Sequence, residues 1–163
     1  MSLKFIDAGT HSMMDLELLC NTIENMDQKE FDRTIAKEWA RAIKGLTLVY
    51  DNDVDKSKKM MILSAMAAAH VDGKFTQGEF RQVGSLIDNA TGSNVTYEDT
   101  KDLIERIITD YNSEEELVQG VYRKLLKVDP DAAASYVIFL VFICCADGDA
   151  CWKEKKWIKN IYE

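Results

Sequence analysis

The sequence predicts an all-α protein in which about eight helices pack into one compact bundle. Apolar residues recur at spacings of three and four along almost every segment, and no segment shows the sustained alternation of a half-exposed strand. Hydrophobic residues make up 47% of the chain and there is a single proline, so long helices around a substantial core are favoured. A length of 163 residues predicts a single domain, residues 1–163.

The first two helices are predicted within residues 1–55. One covers Asp15 to about Met26, with an apolar stripe on one face. The second follows Asp27, which forms a capping-box pattern with Glu30, and runs to about Tyr50. The apolar residues that define the two stripes are Leu16, Leu19 and Ile23 in the first helix and Phe31, Ile35, Trp39, Ala42, Ile43 and Leu46 in the second.

A third helix is predicted from about Lys56 to Val71, after the acidic break from Asp51 to Asp55. The alternating aspartates of this break resemble the start of an EF-hand loop. That pattern fails, because Lys56 stands where the loop needs glycine and Ile62 where it needs glutamate. We therefore interpret the acidic cluster as a solvated helix start.

The second half of the chain continues the helical pattern. Helices are predicted over residues 76–89, 97–110, 113–127, 130–146 and 152–162. Asp129 supplies an N-cap before Pro130, which sits at the first helical position, where its missing N–H is harmless. The helices Lys56–Val71 and Pro130–Ala146 are apolar on all sides, so we expect them to be the most buried.

The sequence contains an internal repeat. Asp72-Gly73 ends an apolar helix and is followed by Glu79, and the same arrangement recurs as Asp147-Gly148 with Glu154. Both the Asp and the Glu recur at an offset of 75 residues. A constant offset indicates two copies of one helix–turn–helix unit, so residues 63–89 are expected to superpose on residues 138–162.

These two units resemble the TerB family of small helical domains, which are associated with bacterial tellurite resistance. The resemblance covers about residues 56–163 and is carried by Val71-Asp72-Gly73 with Thr76 and Glu79, and by Ala146-Asp147-Gly148 with Glu154. The second copy has Cys151 where the first has Thr76. The resemblance implies a TerB-like fold with two repeats, binding of a divalent cation such as Ca²⁺ or Mg²⁺, and a role in stress response. Residues 1–55 carry no motif of the family.

Five carboxylates are the candidate metal ligands: Asp72, Glu79, Asp147, Asp149 and Glu154. Each Glu lies in the first turn of a helix, where negative charge is favourable, so folding alone explains it. Each Asp of an Asp-Gly pair meets the negative end of a helix dipole, which costs about 0.3–1 kcal/mol. That cost favours a ligand role. The alternative is that the acidic loops are only structural caps.

Charge and composition limit the classes of partner. A net charge of −8 disfavours nucleic acids and anionic membrane surfaces. The longest apolar run, Ala132–Ala146, is shorter than the roughly 20 residues that cross a bilayer, so no membrane insertion is expected. The N-terminus lacks a secretion signal, and Cys20, Cys144, Cys145 and Cys151 form no CxxC pair. We therefore expect a cytoplasmic protein in a reducing compartment.

The sequence contains no recognisable catalytic motif, and a non-enzymatic role is expected. The first hypothesis is a TerB-like stress-response accessory module that binds divalent cations through its Asp-Gly and Glu residues. The alternative is a protein–protein interaction domain whose acidic loops are structural. Both hypotheses imply a protein partner of unknown identity.

Overall fold

The computed structural model describes residues 16–69, 85, 114–145 and 152–162. Within these residues the chain forms six α-helices and no strand, which confirms the all-α class. The helices are α1 Leu16–Glu24, α2 Gln28–Val49, α3 Val54–Ala69, α4 Glu114–Val128, α5 Pro130–Cys145 and α6 Trp152–Tyr162.

Two predicted helices, over residues 76–89 and 97–110, lie outside the described residues, apart from Ser85, which is helical. The predicted total of about eight helices therefore stays a prediction.

An aspartate side chain caps the N-terminus of three of these helices. Asp27 Oδ1 accepts the backbone N–H of Glu30 at 2.7 Å, as the capping-box pattern predicted. Asp53 Oδ1 accepts the N–H of Lys56 at 3.0 Å, and Asp129 Oδ1 accepts that of Ala132 at 3.2 Å. The interpretation of the acidic cluster as a helix start is thus confirmed at Asp53.

The link between α2 and α3 turns sharply at two residues with left-handed backbone. Asp51 has a φ of 53° and Asn52 a φ of 64°. Asp and Asn tolerate this conformation better than other non-glycine residues, because their short polar side chains bond locally. The turn reverses the chain, so α3 runs back along α2.

Helix α5 is the centre of the bundle. All of its residues except Pro130, Asp131 and Ala134 are buried, and each of the other five described helices packs against it. The sequence predicted this burial from the absence of a polar face. One hydrophobic core includes residues of all six helices, so α1 and α2 share the core of the region that resembles TerB.

Helix α2 runs antiparallel to α5. Phe31 packs on Phe142 with ring centroids 5.0 Å apart, and further along the pair Trp39 meets Phe139 at 5.5 Å. At the far end of the pair the backbone of Gly45 closely approaches Ala132. The predicted stripe of α2 is therefore the face that covers α5.

Helix α3 runs in the same direction as α5. Tyr136 donates a hydrogen bond to Ser64 at 2.6 Å, and further along both helices Cys144 Sγ lies 4.0 Å from the carbonyl oxygen of Ala68. None of the helices among the described residues is long and apolar enough to cross a membrane.

Candidate functional site

The predicted metal ligands fall mostly outside the residues that the structure describes. This holds for Asp72, Glu79, Asp147 and Asp149. Glu154 lies in the first turn of α6, as the sequence predicted. In the described ranges, no group of three or more His, Cys, Asp or Glu residues is arranged to hold a metal ion. The ligand roles of all five carboxylates stay predictions.

The helices that lead into the two Asp-Gly pairs end beside each other. Helix α3 ends at Ala69, three residues before Asp72, and α5 ends at Cys145, two residues before Asp147. Contact between Cys144 Sγ and the Ala68 carbonyl joins these ends directly. The first residues of α3 and α5 are 76 positions apart in the sequence, and so are their last residues. The two Asp-Gly pairs are 75 positions apart, so the helices match the repeat offset to within one residue.

Three buried thiols lie at this same end of the bundle. Cys20 of α1 and Cys145 of α5 are hydrogen-bonded through their side chains, and Cys144 faces α3. The hydrogen bond with Cys20 and burial raise the pKa of Cys145 well above its usual range, and the carboxylate of Glu24 adds to the effect. The thiol of Cys145 is therefore protonated in the folded protein. The sequence predicted that Cys144 and Cys145 are buried, but not their contacts.

Glu38 is a buried carboxylic acid that the sequence analysis did not identify. It is only 3% exposed, and its Oε2 is buried without a hydrogen-bond partner. Burial raises the pKa of Glu38, and the hydrogen bond with Ser135 and the charges of Arg41 and Lys37 oppose that rise only in part. A signal was available in the sequence, because Glu38 lies between Ile35 and Ala42 on the apolar stripe of α2.

A second buried polar contact lies next to Ser135. Tyr136 is fully buried, and burial raises the pKa of its phenol far above the usual range. Its hydroxyl bonds to Ser64, which in turn donates to the Met60 carbonyl at 2.7 Å. This chain ties α5 to α3. It satisfies all three polar groups, so we assign it a structural role.

The opposite end of the bundle presents apolar side chains to solvent. Leu48, Val54 and Val128 are each about half exposed, at the end of α2, the start of α3 and the end of α4. Nearby, the ring of Tyr50 lies under the ammonium groups of Lys56, at 4.8 Å, and Lys124, at 5.8 Å. These cation–π contacts join α3 and α4 to the turn between α2 and α3.

No protein-family model, curated protein sequence or solved structure matches this chain. The TerB resemblance therefore rests on the residues quoted for it alone.

Proposed function

We propose that this protein is a non-enzymatic, TerB-like accessory module of the stress response, and that its two Asp-Gly and Glu units together bind a divalent cation. One helix–turn–helix unit supplies Asp72 and Glu79, and the other supplies Asp147, Asp149 and Glu154. Two carboxylates make a weak site, because Ca²⁺ takes six to eight oxygen ligands and Mg²⁺ keeps several waters. Cooperation between the units would raise the number of ligands.

One observation carries this proposal: α3 and α5 run side by side in the same direction and end in contact at Ala68 and Cys144. Each Asp-Gly pair follows its helix within three residues. Two antiparallel helices would instead lead into the pairs from opposite ends of the bundle. The shared direction therefore favours a joint site over two separate ones.

The test is the melting temperature of the full chain in EDTA and with about millimolar Ca²⁺ or Mg²⁺, an affinity range typical of weak sites. A cation that binds only the folded state raises its stability. We expect the wild type to gain stability, and Asp72→Asn and Asp147→Asn to lose that gain. Asp55→Asn is the matched control, because this exposed carboxylate lies in the first turn of α3 and should leave the cation response unchanged.

The same two Asn variants show whether each aspartate is a metal ligand or a structural cap. In EDTA, each Asn variant should be slightly more stable than the wild type, because it removes a charge from the unfavourable end of a helix dipole. A structural Asp that accepts hydrogen bonds across its turn would instead lose about 0.5–1.5 kcal/mol on the same change. A wild type whose melting temperature ignores every cation would contradict the proposal.

The second candidate function is a protein–protein interaction domain in which the acidic loops are only structural. The half-exposed Leu48, Val54 and Val128 favour it, because all three lie at the same end of the bundle, at the end of α2, the start of α3 and the end of α4. An unchanged melting temperature in Ca²⁺ and Mg²⁺ would make this the preferred function.

A further inference from the structure

The exposed face of α2 carries a continuous row of positive charge, which we call the basic stripe. Its members follow one another at spacings of four, four, four and three residues, and all of them are exposed: Lys29, Arg33, Lys37, Arg41 and Lys44. Spacings of three and four place residues on one side of a helix, here the side opposite the buried face of α2. At 1.5 Å per residue the row is about 22 Å long.

The carboxylates of α2 offset the basic stripe only at its start. Glu30 and Asp32 belong to the first two turns of the helix, and Asp32 accepts a hydrogen bond from the side chain of Gln28 at 2.8 Å. Glu38 is buried in the core. Every exposed charge over residues 33–49 is therefore positive.

Folding alone does not explain this row. Neighbours of like charge at these spacings destabilise a helix, and a helix face that serves only solubility usually alternates the two signs. Lys29 also lies in the first turn, where the helix dipole disfavours a positive charge. The rest of the chain has the opposite balance, with 15 of the 20 basic residues but 25 of the 28 acidic ones. A row that costs stability and opposes the charge of the whole chain indicates a surface for a negatively charged partner.

The surroundings of the basic stripe limit the size of that partner. Exposed Glu24 and Asp27 precede it in the chain, and exposed Asp51 and Asp55 follow it. A nucleic-acid duplex or an anionic membrane would extend past both ends of the row and meet these carboxylates. A segment of about four helical turns covers only the row itself.

The spacing of the row fits carboxylates on a helix. Glutamates at i and i+4 of a partner helix repeat at about 6 Å, the same interval as the cations of α2. Leu48 lies one turn beyond Lys44 on the same face and is 57% exposed. An apolar side chain at one end of the partner helix would therefore find an apolar contact.

We propose that the basic stripe binds an acidic α-helix of a partner protein, about four turns long, with its carboxylates on one face and an apolar residue that meets Leu48. Complementary charge selects this partner and speeds its approach. The proposal does not depend on cation binding at the Asp-Gly loops.

The test uses the full chain and a fluorescein-labelled synthetic peptide of about 16 residues, with glutamates at i and i+4 on one face and a leucine at one end. Fluorescence anisotropy measures binding in EDTA, so that divalent cations play no part. We expect the peptide to bind, and its affinity to fall as NaCl is raised, because salt screens exposed charges.

Two triple variants provide the comparison. The stripe variant carries Lys29→Gln, Arg33→Gln and Lys44→Gln, and keeps Lys37 and Arg41, whose charges act on buried Glu38. It should bind the peptide about tenfold more weakly, as expected for the loss of three exposed ion pairs. The control variant loses the same charge at exposed positions of α3 and α4, and its affinity should change less than about twofold. Its substitutions are Lys58→Gln, Lys59→Gln and Arg123→Gln.

Two further measurements separate binding from folding. Both triple variants should melt close to the wild type, because glutamine is as good a helix former as lysine or arginine. Leu48→Ala should weaken the peptide about fivefold at low and at high salt, because the lost contact is apolar.

Several results would overturn the proposal. One is an equal loss of affinity in the control variant, since net charge and not the basic stripe would then attract the peptide. Another is a peptide that does not bind. Tighter binding of a DNA duplex or of phosphatidylserine vesicles would assign the stripe to a polyanion. A dimer that sedimentation detects in the wild type but not in the stripe variant would assign it to a second copy of the chain.

Discussion

Substituting Gly45 by alanine tests the closest helix contact in the bundle. A Cβ atom at this position would overlap Cβ of Ala132 and lie 2.9 Å from Cδ2 of Leu125. Normal contact between carbon atoms is about 3.5–4.0 Å. Leu125 can rotate away, but Cβ of Ala132 is fixed to the backbone of α5. The added methyl group therefore forces α2 away from α5 by about 1 Å.

Two opposing effects set the magnitude. Alanine is a better helix former than glycine by about 1 kcal/mol, which stabilises the variant. Overpacking in a core costs about 1–3 kcal/mol, and a clash that only backbone movement relieves belongs at the upper end of that range. Gly45→Ala should therefore lose about 2 kcal/mol of unfolding free energy, or roughly 4–8 °C in melting temperature.

Gly120 provides the matched control. It lies inside α4, and a Cβ atom there would meet nothing within 4 Å. Gly120→Ala should gain about 1 kcal/mol, because only helix propensity changes. Urea denaturation followed by circular dichroism measures both free energies, and the two variants should move in opposite directions.

A double-mutant cycle locates the cause of the loss. Ala132→Gly removes the Cβ atom that the added methyl group overlaps, so it should restore part of the stability of Gly45→Ala. The coupling between the two changes should be within about 0.5–3 kcal/mol, as for residues in direct contact. A Gly45→Ala protein as stable as Gly120→Ala would refute the close approach of α2 and α5.

Substitutions at three further positions test the buried and capping groups. Glu38→Gln should flatten the pH dependence of stability. Because the pKa of Glu38 is raised in the folded protein, the wild type loses stability as the pH rises from about 4.5, the unfolded value, through the folded value. The variant should therefore be more stable than the wild type at neutral pH, as measured by urea titration. Tyr136→Phe should cost about 1 kcal/mol by denaturation, because Ser64 loses the hydroxyl that donates to it; an unchanged free energy would contradict that bond. Asp27→Ala should cost about 1 kcal/mol by removing the acceptor for Glu30 N–H, whereas Asp27→Ser should retain most of the stability.

The helices could be predicted from the sequence because caps and apolar stripes depend on residues that are close together in the chain. The caps at Asp27 and Asp129 depend on a side-chain oxygen and a backbone N–H three residues apart. The burial of α5 follows from its composition, which offers no polar face to solvent. The boundaries of α2, which has described residues beyond both of its ends, agreed with the prediction within one residue, since the cap at Asp27 and the apolar stripe specify the same helix.

Contacts between distant segments could not be predicted in the same way. Nothing in the sequence states that Cys20 meets Cys145, because helical spacing gives the face of a helix but not its neighbour. The same limit applies to Gly45, whose small size is explained only by the approach of Ala132. Glu38 is a different case, since its place on an apolar stripe already marked it as buried.

The direction of α3 relative to α5 bears on the proposed cation site. Helices α3 and α5, which belong to the two predicted copies of the repeat, pack side by side in the same direction. Residues that precede both Asp-Gly pairs, and the thiols of Cys144 and Cys145, therefore share one end of the bundle. Leu48, Val54 and Val128 lie at the other end, whereas Leu18, which is also half exposed, lies in α1. The proposed cation site would therefore form at one end of the bundle and the candidate docking surface at the other.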